Sequence, residues 1–280
     1  MKIADIFRAK KPISFEIFPP KGELSTESFH ATLAALSKLS PDYISVTCSA
    51  GGSGGRERTA VLAGAIRKEY GIESCAHLTC INSDEAMLRE DVQRLHDAGV
   101  ENVLALRGDV IPGATARVFR YASQLMRHLQ PEGFCMGGAC YPEGHIECSD
   151  PAQDLRHLYE KQEAGASFLV TQLFFDNDCF YRFMEKARGI GVTIPVTPGV
   201  MPILSKAQIE RMIFTCGASL PSDIIRILYR YENDPDSLRE AGIEYAVRQI
   251  RDLQAHGADG IHIYTMNRPQ IATDILAGLR

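Results

Sequence analysis

A chain of 280 residues can build one large α/β barrel or two ordinary domains. Hydrophobic residues make up 45% and charged residues 23%, a globular balance that argues against disorder. The net charge of -5, with no Lys/Arg block, leaves no electrostatic footprint for nucleic acid, although it permits a local basic pocket for an anionic ligand.

The opening MKIADIFRAKKPISFE has no apolar core of signal-peptide type, and no apolar run approaches the ~20 residues that span a bilayer. The expectation is a cytoplasmic protein without a membrane partner. Eight cysteines (48, 75, 80, 135, 140, 148, 179 and 216) fall mostly in apolar, strand-like runs. Buried free thiols in a reducing compartment fit them better than disulfides.

Taken in chain order, β-rich apolar runs occur at 13–18, 43–48, 74–80, 102–108, 134–141, 168–175, 193–199 and 260–266. Their near-continuous apolar character suits parallel strands covered on both faces. Helical spacing is found between them, for example over 27–39, 57–70, 84–98, 152–164 and 237–256. Ser25, Ser83, Ser149 and Ser205 stand where helix N-caps are expected. Gly99, Gly165 and Gly257 each end a helix a few residues before a strand, where positive φ is needed. This repeated unit predicts one domain over 1–280, a single (β/α)8 TIM-type barrel of the α/β class. An open doubly wound sheet is the alternative. The 221–233 stretch adds a helix before what the pattern marks as the last barrel helix.

Catalytic groups of such barrels lie at the C-terminal ends of strands. Polar residues occur there on seven of the eight predicted strands, more than a purely structural barrel needs. Glu16 sits in SFEIFPP among Phe15, Ile17 and Phe18. Desolvation is expected to raise its pKa toward a general-acid range, unless it pairs with a buried cation. Arg107-Gly108-Asp109 could hold a ring or a phosphate, or form a salt bridge at a tight turn. The loop GGSGG at 51–55 could cradle phosphate or act as a lid. It matches neither G-x-G-x-x-G nor the Walker pattern, so no Rossmann site is visible. Arg268 could clamp a carboxylate or cap the rim. His77, His145 and the cysteines show no metal-ligand spacing, and no metal is expected.

SFEIFPPK, SVTCSAGGSGGRERT, AHLTC, LALRGD, CYPEGHIE, TQLFFD, PGVMPI and YTMNR follow one another in this order. Together they resemble the catalytic barrel of the methylenetetrahydrofolate reductase family, from Ile13 to about Thr273. The resemblance implies a barrel that binds FAD without a Rossmann fold. NADH or NADPH would reduce the flavin, and 5,10-methylenetetrahydrofolate would then take its place and be reduced to 5-methyltetrahydrofolate. Glu16 would be the general acid, and Asp109 a carboxylate near flavin and folate. Flavin contacts would fall at Thr47, Cys48, Ala50, His77, Arg107, Gly108, Asp109, Tyr121, Ala122, Tyr141, His145, Asp154, His157 and Lys161. Gln172, Gln208 and Arg268 would contact the substrate, Gln172 also serving the nicotinamide. A homo-oligomer is implied.

The sequence departs from the family pattern in places. Cys48 replaces a frequent aromatic ring, and the glycine loop is one residue longer than expected. His157 and Glu160 stand where Asn and Arg are expected, so Glu160 is expected to weaken FAD binding by repulsion. Because the sequence ends soon after the predicted barrel, the expectation is that the extra C-terminal regulatory domain of longer family members is lacking, and with it control by S-adenosylmethionine. Two other readings compete: a flavin barrel of the proline-dehydrogenase kind, and a folate-binding or electron-relay subunit fed by a separate redox partner protein. Nothing in the sequence distinguishes NADH from NADPH.

Overall fold

The computed structural model of the chain describes residues 1–20, 26–48, 54–110 and 118–280, without the side chains of 26–28 and 54–55. Ser25, Ala50 and most of the glycine loop lie outside the described residues. The strands are β1 Ile13–Ile17, β2 Tyr43–Val46, β3 Glu73–Thr79, β4 Asn102–Leu106, β5 Cys135–Cys140, β6 Ala166–Thr171, β7 Val196–Thr197, β8 Gly199–Val200 and β9 Ile261–Tyr264. The helices are α1 Ile3–Ala9, α2 Thr26–Ser37, α3 Gly54–Tyr70, α4 Glu85–Asp97, α5 Ala122–Leu129, α6 Pro151–Glu163, α7 Asn177–Gly189, α8 Lys206–Cys216, α9 Ser222–Arg230, α10 Pro235–Ala255 and α11 Pro269–Leu279.

All strand pairs are parallel, in the order β7-β6-β5-β4-β3-β2-β1-β9-β8. The two ends of this list are halves of one chain segment, interrupted at Pro198. Val196 and Thr197 pair with β6, while Gly199 and Val200 pair with β9. Proline has no N–H for a ladder, so the break falls there. The Pro198 carbonyl still accepts from His262 N at 3.0 Å. The result is a nearly closed barrel in which the predicted seventh strand is split in two.

Period-two alternation divides each strand's side chains between two layers. Phe15, Ile17, Ile44, Val46, Ala76, Leu78, Val103, Ala105 and Leu169 face the helices and form the main core. Tyr43, Cys75, Leu104, Cys135 and Phe168 face inward and meet Ile3 and Ile6 of α1, which plugs the N-terminal end of the barrel. Cys75 and Cys80 therefore lie in different layers, as do Cys135 and Cys140, and all eight cysteines are free. Asn102 anchors the plug: its Oδ1 accepts from Ile3 N at 2.7 Å, and its Nδ2 donates to the Met1 and Ser74 carbonyls.

Gly99, Gly165 and Gly257 adopt the expected left-handed φ of 73°, 99° and 84°. Ser205 caps α8 as anticipated, accepting from Gln208 N. Two other expected caps are corrected. Asp84, not Ser83, caps α4, and Asp150, not Ser149, caps α6. Ser83 is occupied elsewhere, donating to the Thr79 carbonyl and accepting from Arg56. The added helix is present as α9, but α8 also lies between the seventh strand position and α10, and the last barrel helix is α11, after β9.

Two close approaches depend on glycine. A Cβ on Gly199 would lie 2.7 Å from the Tyr264 ring, and one on Gly242 only 1.9 Å from the Ile203 carbonyl oxygen. Backbone cannot give way cheaply, so Gly242→Ala should destabilise the protein by about 1–3 kcal/mol. Gly189→Ala, with nothing within 4 Å, should be neutral or slightly stabilising. Thermal unfolding of both variants checks this; equal midpoints would contradict it.

Candidate active site

A cleft of about 640 Å³ opens at the C-terminal ends of β2 to β5. Three stretches of chain supply most of its wall. Arg107, Gly108 and Asp109 follow β4; Tyr121 and Ala122 begin α5; and Asp154, His157 and Lys161 share one face of α6 at spacings of three and four residues. Cys48, Tyr141 and His145 complete the predicted residues that line it.

The turn after β4 requires its glycine twice over. Gly108 has φ 83°, and a Cβ there would lie 2.9 Å from Thr79. Arg107 makes its ion pair with Glu147 rather than with Asp109, NH1 to Oε2 at 2.6 Å, while its Nε donates to the Gly108 carbonyl. The pair holds the Arg107 guanidinium above, and the Glu147 carboxyl below, their ordinary ranges. Asp109 is exposed at the lip.

On the opposite wall, His145 Nδ1 accepts from Glu147 N at 3.1 Å, which leaves Nε2 as the N–H of the neutral ring. The His145 backbone N–H is held by Asp154 at 3.0 Å. Burial, helped by Arg107, lowers the pKa of His145. Lys161 donates to the Ala139 carbonyl at 2.7 Å, and burial lowers its pKa as well. Gly138 leaves room for this stem, since a Cβ there would lie 3.3 Å from Lys161 Cδ. The Tyr121 ring lies 5.0 Å from the His157 ring at the rim. Glu160 is exposed and does not line the cleft, so the expected repulsion of a bound anion is not supported by its position.

Sequence reasoning missed two charged residues of this wall. Glu147 stands two residues after His145 in PEGHIE, and Arg56 stands in GGRERT. Arg56 lines the cleft while it donates to Asp91 at 2.7 Å and Ser83 at 2.6 Å, and Asp91 is only 5% exposed. A cation beside a glycine loop was a usable signal for Arg56. Glu147 had none beyond its place in the motif.

Glu16 does not line this cleft; it lies inside the barrel next to it, beside His77, which stands two residues before Thr79 of the cleft wall. Its Oε2 is 3.5 Å from His262 Nε2 and 3.6 Å from His77 Nε2, and its side chain is 19% exposed. The expectation of a raised pKa is corrected. Desolvation does raise it and is the largest single influence, but the His262 hydrogen bond and the charges of His77 and His262 together outweigh it, and the net direction is down. Burial lowers the pKa of His77 against the opposing pull of Glu16. His77 Nε2 has no hydrogen-bond partner among the described residues.

The remaining predicted residues are more scattered. Thr47 follows β2, its N–H bonded to the Ile17 carbonyl. Gln172 follows β6 and accepts from Leu173 N at 2.8 Å. Gln208, 8% exposed, spends both ends of its amide on the chain before α8: Oε1 accepts from Leu204 N, and Nε2 donates to the Pro202 carbonyl. Arg268 is exposed, and its guanidinium has no protein partner among the described residues. Just before it, Met266 and Asn267 adopt φ of 54° and 55°, and the Asn267 amide pairs with both backbone groups of Phe18. That clamp ties the last strand end to the first.

The fold and site define a β/α-barrel protein with a cleft of mixed charge and a buried carboxylate at its strand ends. Comparison with known proteins makes this specific: residues 2–280 match the family model for methylenetetrahydrofolate reductase. The 5,10-methylenetetrahydrofolate reductase of Pectobacterium carotovorum is 32% identical, covering 93% of this chain and 87% of that protein. Methylenetetrahydrofolate reductase 1 of Schizosaccharomyces pombe is 34% identical over 95% of this chain, which spans only 46% of that longer protein. Among solved structures, a Clostridium thermocellum protein described as binding two copies of 5-methyl-5,6,7,8-tetrahydrofolic acid has the same fold, with a TM-score of 0.71 at 13% identity and 99% coverage of both chains. The chain belongs to the methylenetetrahydrofolate reductase family.

The pKa directions have a consequence for stability. Glu16, His77 and His145 all titrate lower in the folded chain than their ordinary values. The unfolded chain therefore binds more protons at a given pH, and stability rises with pH. Their contribution is complete above the ordinary histidine value of 6.5 and is lost as pH falls through the folded values. Denaturant midpoints should drop as pH falls below 7, less steeply in His77→Gln. A midpoint that rises on acidification would contradict these directions.

Proposed function

We propose that this chain, acting as one catalytic unit, reduces 5,10-methylenetetrahydrofolate to 5-methyltetrahydrofolate with electrons from NADH or NADPH, using bound FAD and alternating the two substrates at one site in the cytoplasm. Family membership supports an oxidoreductase acting on methylenetetrahydrofolate. The observation that carries the finer reading is Glu16, an ionisable group held inside the barrel between two imidazoles beside the cleft.

The cleft suits a flavin. Its volume lies within the usual range of ~300–1,000 Å³ for ligand pockets. It offers the Lys161 and Arg107 cations for an anionic linker, the His145 Nε2–H as a donor, and the Tyr121 and His157 rings for a flat base. When bound, FAD supplies the two-electron chemistry that links a nicotinamide to a folate.

The chain's own groups do the rest. Glu16 delivers a proton to the folate nitrogen as the bridging ring opens. Water exclusion by a bound substrate favours its neutral form and opposes the downward pull of the histidines. Asp109, exposed at the lip, orients the folate ring and adds a negative charge beside the flavin. Arg268 offers a guanidinium that no described residue engages for the substrate's glutamate carboxylates. Gln172 keeps its NH2 group available for either substrate. Gln208 acts on the folate only if it exchanges its bonds to Pro202 and Leu204.

Glu16→Gln separates the two half-reactions. Bleaching of the protein-bound flavin band by nicotinamide should persist within a few-fold of wild type, while folate turnover should fall by about 10²–10⁴. Anaerobic stopped-flow absorbance checks this. An equal fall in both half-reactions would sink the acid role.

A further inference from the structure

The charged groups that line the cleft balance one another among the described residues: Arg56, Arg107 and Lys161 against Asp109, Glu147 and Asp154. They are committed to different degrees. Arg56 is held by the buried Asp91, Lys161 by the Ala139 carbonyl, and Asp154 by the His145 backbone N–H. Asp109 is exposed at the lip. Glu147 is the one carboxylate of the three that, among the described residues, takes up a cation of the cleft. Its Oε2 lies 2.6 Å from Arg107 NH1, and its side chain is 53% exposed.

Glu147 reaches Arg107 from a pinned backbone. Its N–H donates to His145 Nδ1 at 3.1 Å, and the Cys148 N–H donates to the His145 carbonyl at 2.8 Å. The carboxylate can therefore turn away from Arg107 but cannot leave the wall. Arg107 Nε is spent on the Gly108 carbonyl, so an incoming anion is left with the outer edge of the guanidinium, NH1 and NH2. A bidentate contact on that edge needs NH1, which Glu147 holds. The other titratable groups that act on the pair are Asp109, Tyr141 and His145. Burial pushes the Tyr141 hydroxyl up and the His145 ring down, so both stay neutral and neither offsets the charge of Glu147.

We propose that Glu147 is a tethered counter-anion that holds the place of the ligand's diphosphate on Arg107, and that it lowers the affinity of the cleft for anionic flavins without touching recognition of the flavin ring. This rests on the reading of the cleft as a flavin site. An entering diphosphate must either displace the carboxylate or lie beside it, and both oppose binding. Displacement gives up a charge-assisted hydrogen bond, and the pinned backbone keeps the released carboxylate close enough to repel. In the empty cleft the same contact keeps the long Arg107 side chain in one place and closes it to small anions from solvent.

The test is fluorescence titration of the flavin-free full chain with FAD and with riboflavin, which has the same ring system and no phosphate. Glu147→Gln keeps nearly the same shape without the charge. It should bind FAD about fivefold more tightly than wild type, the factor that one partly exposed ion pair commands. Its affinity for riboflavin should match wild type, and Glu147→Asp should return FAD affinity to the wild-type value. At ~1 M salt, where the Debye length is about 3 Å, the FAD difference should shrink. Weaker FAD binding by Glu147→Gln overturns the proposal and makes Glu147 a support for Arg107. Equal tightening of FAD and riboflavin also overturns it, since shape rather than charge would then be responsible, and so does one FAD affinity shared by all three proteins. If riboflavin binds too weakly to titrate, salt makes the same distinction, and an FAD difference that persists undiminished at high salt overturns the proposal. Wild type and variants that all bind neither flavin overturn the functional reading itself, and the proposal falls with it.

Discussion

A carboxylate inside a closed ring of strands stays ionised only if charge and hydrogen bonds replace the water it has lost. Glu16 meets that condition through His262 and His77, each within 3.6 Å of Oε2. The two rings come from β9 and β3, on either side of the β1–β2 pair, so the three groups meet because the last strand pairs with the first and the sheet curves around them. Closure of the barrel depends on the split seventh strand position, where Pro198 ends one half-strand and Gly199 admits the ring of Tyr264, whose hydroxyl donates to the Thr171 carbonyl at 2.8 Å. The site and the architecture are in this sense one constraint. The inward layer is polar around Glu16 and apolar below it, where α1 seals the end.

The cleft beside Glu16 follows a different logic. Most of its charged groups are already engaged with one another or with backbone: Arg107 with Glu147, Arg56 with Asp91, and Lys161 with the Ala139 carbonyl. Such pairing fixes long side chains before a ligand arrives, which lowers the ordering cost of binding. Arg107 is the exception, since its partner Glu147 is half-exposed and easily exchanged for a ligand anion.

Much of this was legible in the sequence. The eight apolar runs fell on the strand positions, and Gly99, Gly165 and Gly257 marked the turns because positive φ leaves a local signature. Eleven of the predicted flavin contacts line one cleft, with Thr47 and His77 nearby in the barrel and Ala50 outside the described residues. What could not be read depended on distant partners. The direction of the Glu16 pKa shift turned on His262, 246 residues away, and Phe15 and Ile17, its apolar neighbours in sequence, face the other layer. A salt bridge from Arg107 to Asp109 was one of the readings that adjacency left open, but the turn sends Arg107 to Glu147. Ser83 and Ser149 were misjudged as caps because an aspartate follows each, and a carboxylate accepts from the first-turn N–H groups more strongly. His262 did carry a signal: in IHIY a polar residue two before Tyr264 must share its inward face.

The central claim is that one barrel mouth holds a flavin where both a nicotinamide and a folate can reach it. The most direct measurement is the visible spectrum of the protein supplied with FAD, recorded anaerobically before and after NADH or NADPH and again after methylenetetrahydrofolate. The account predicts a bound-flavin band that bleaches with a nicotinamide nucleotide and returns with the folate. A protein that takes up no FAD, or whose flavin band neither nucleotide bleaches, would contradict it.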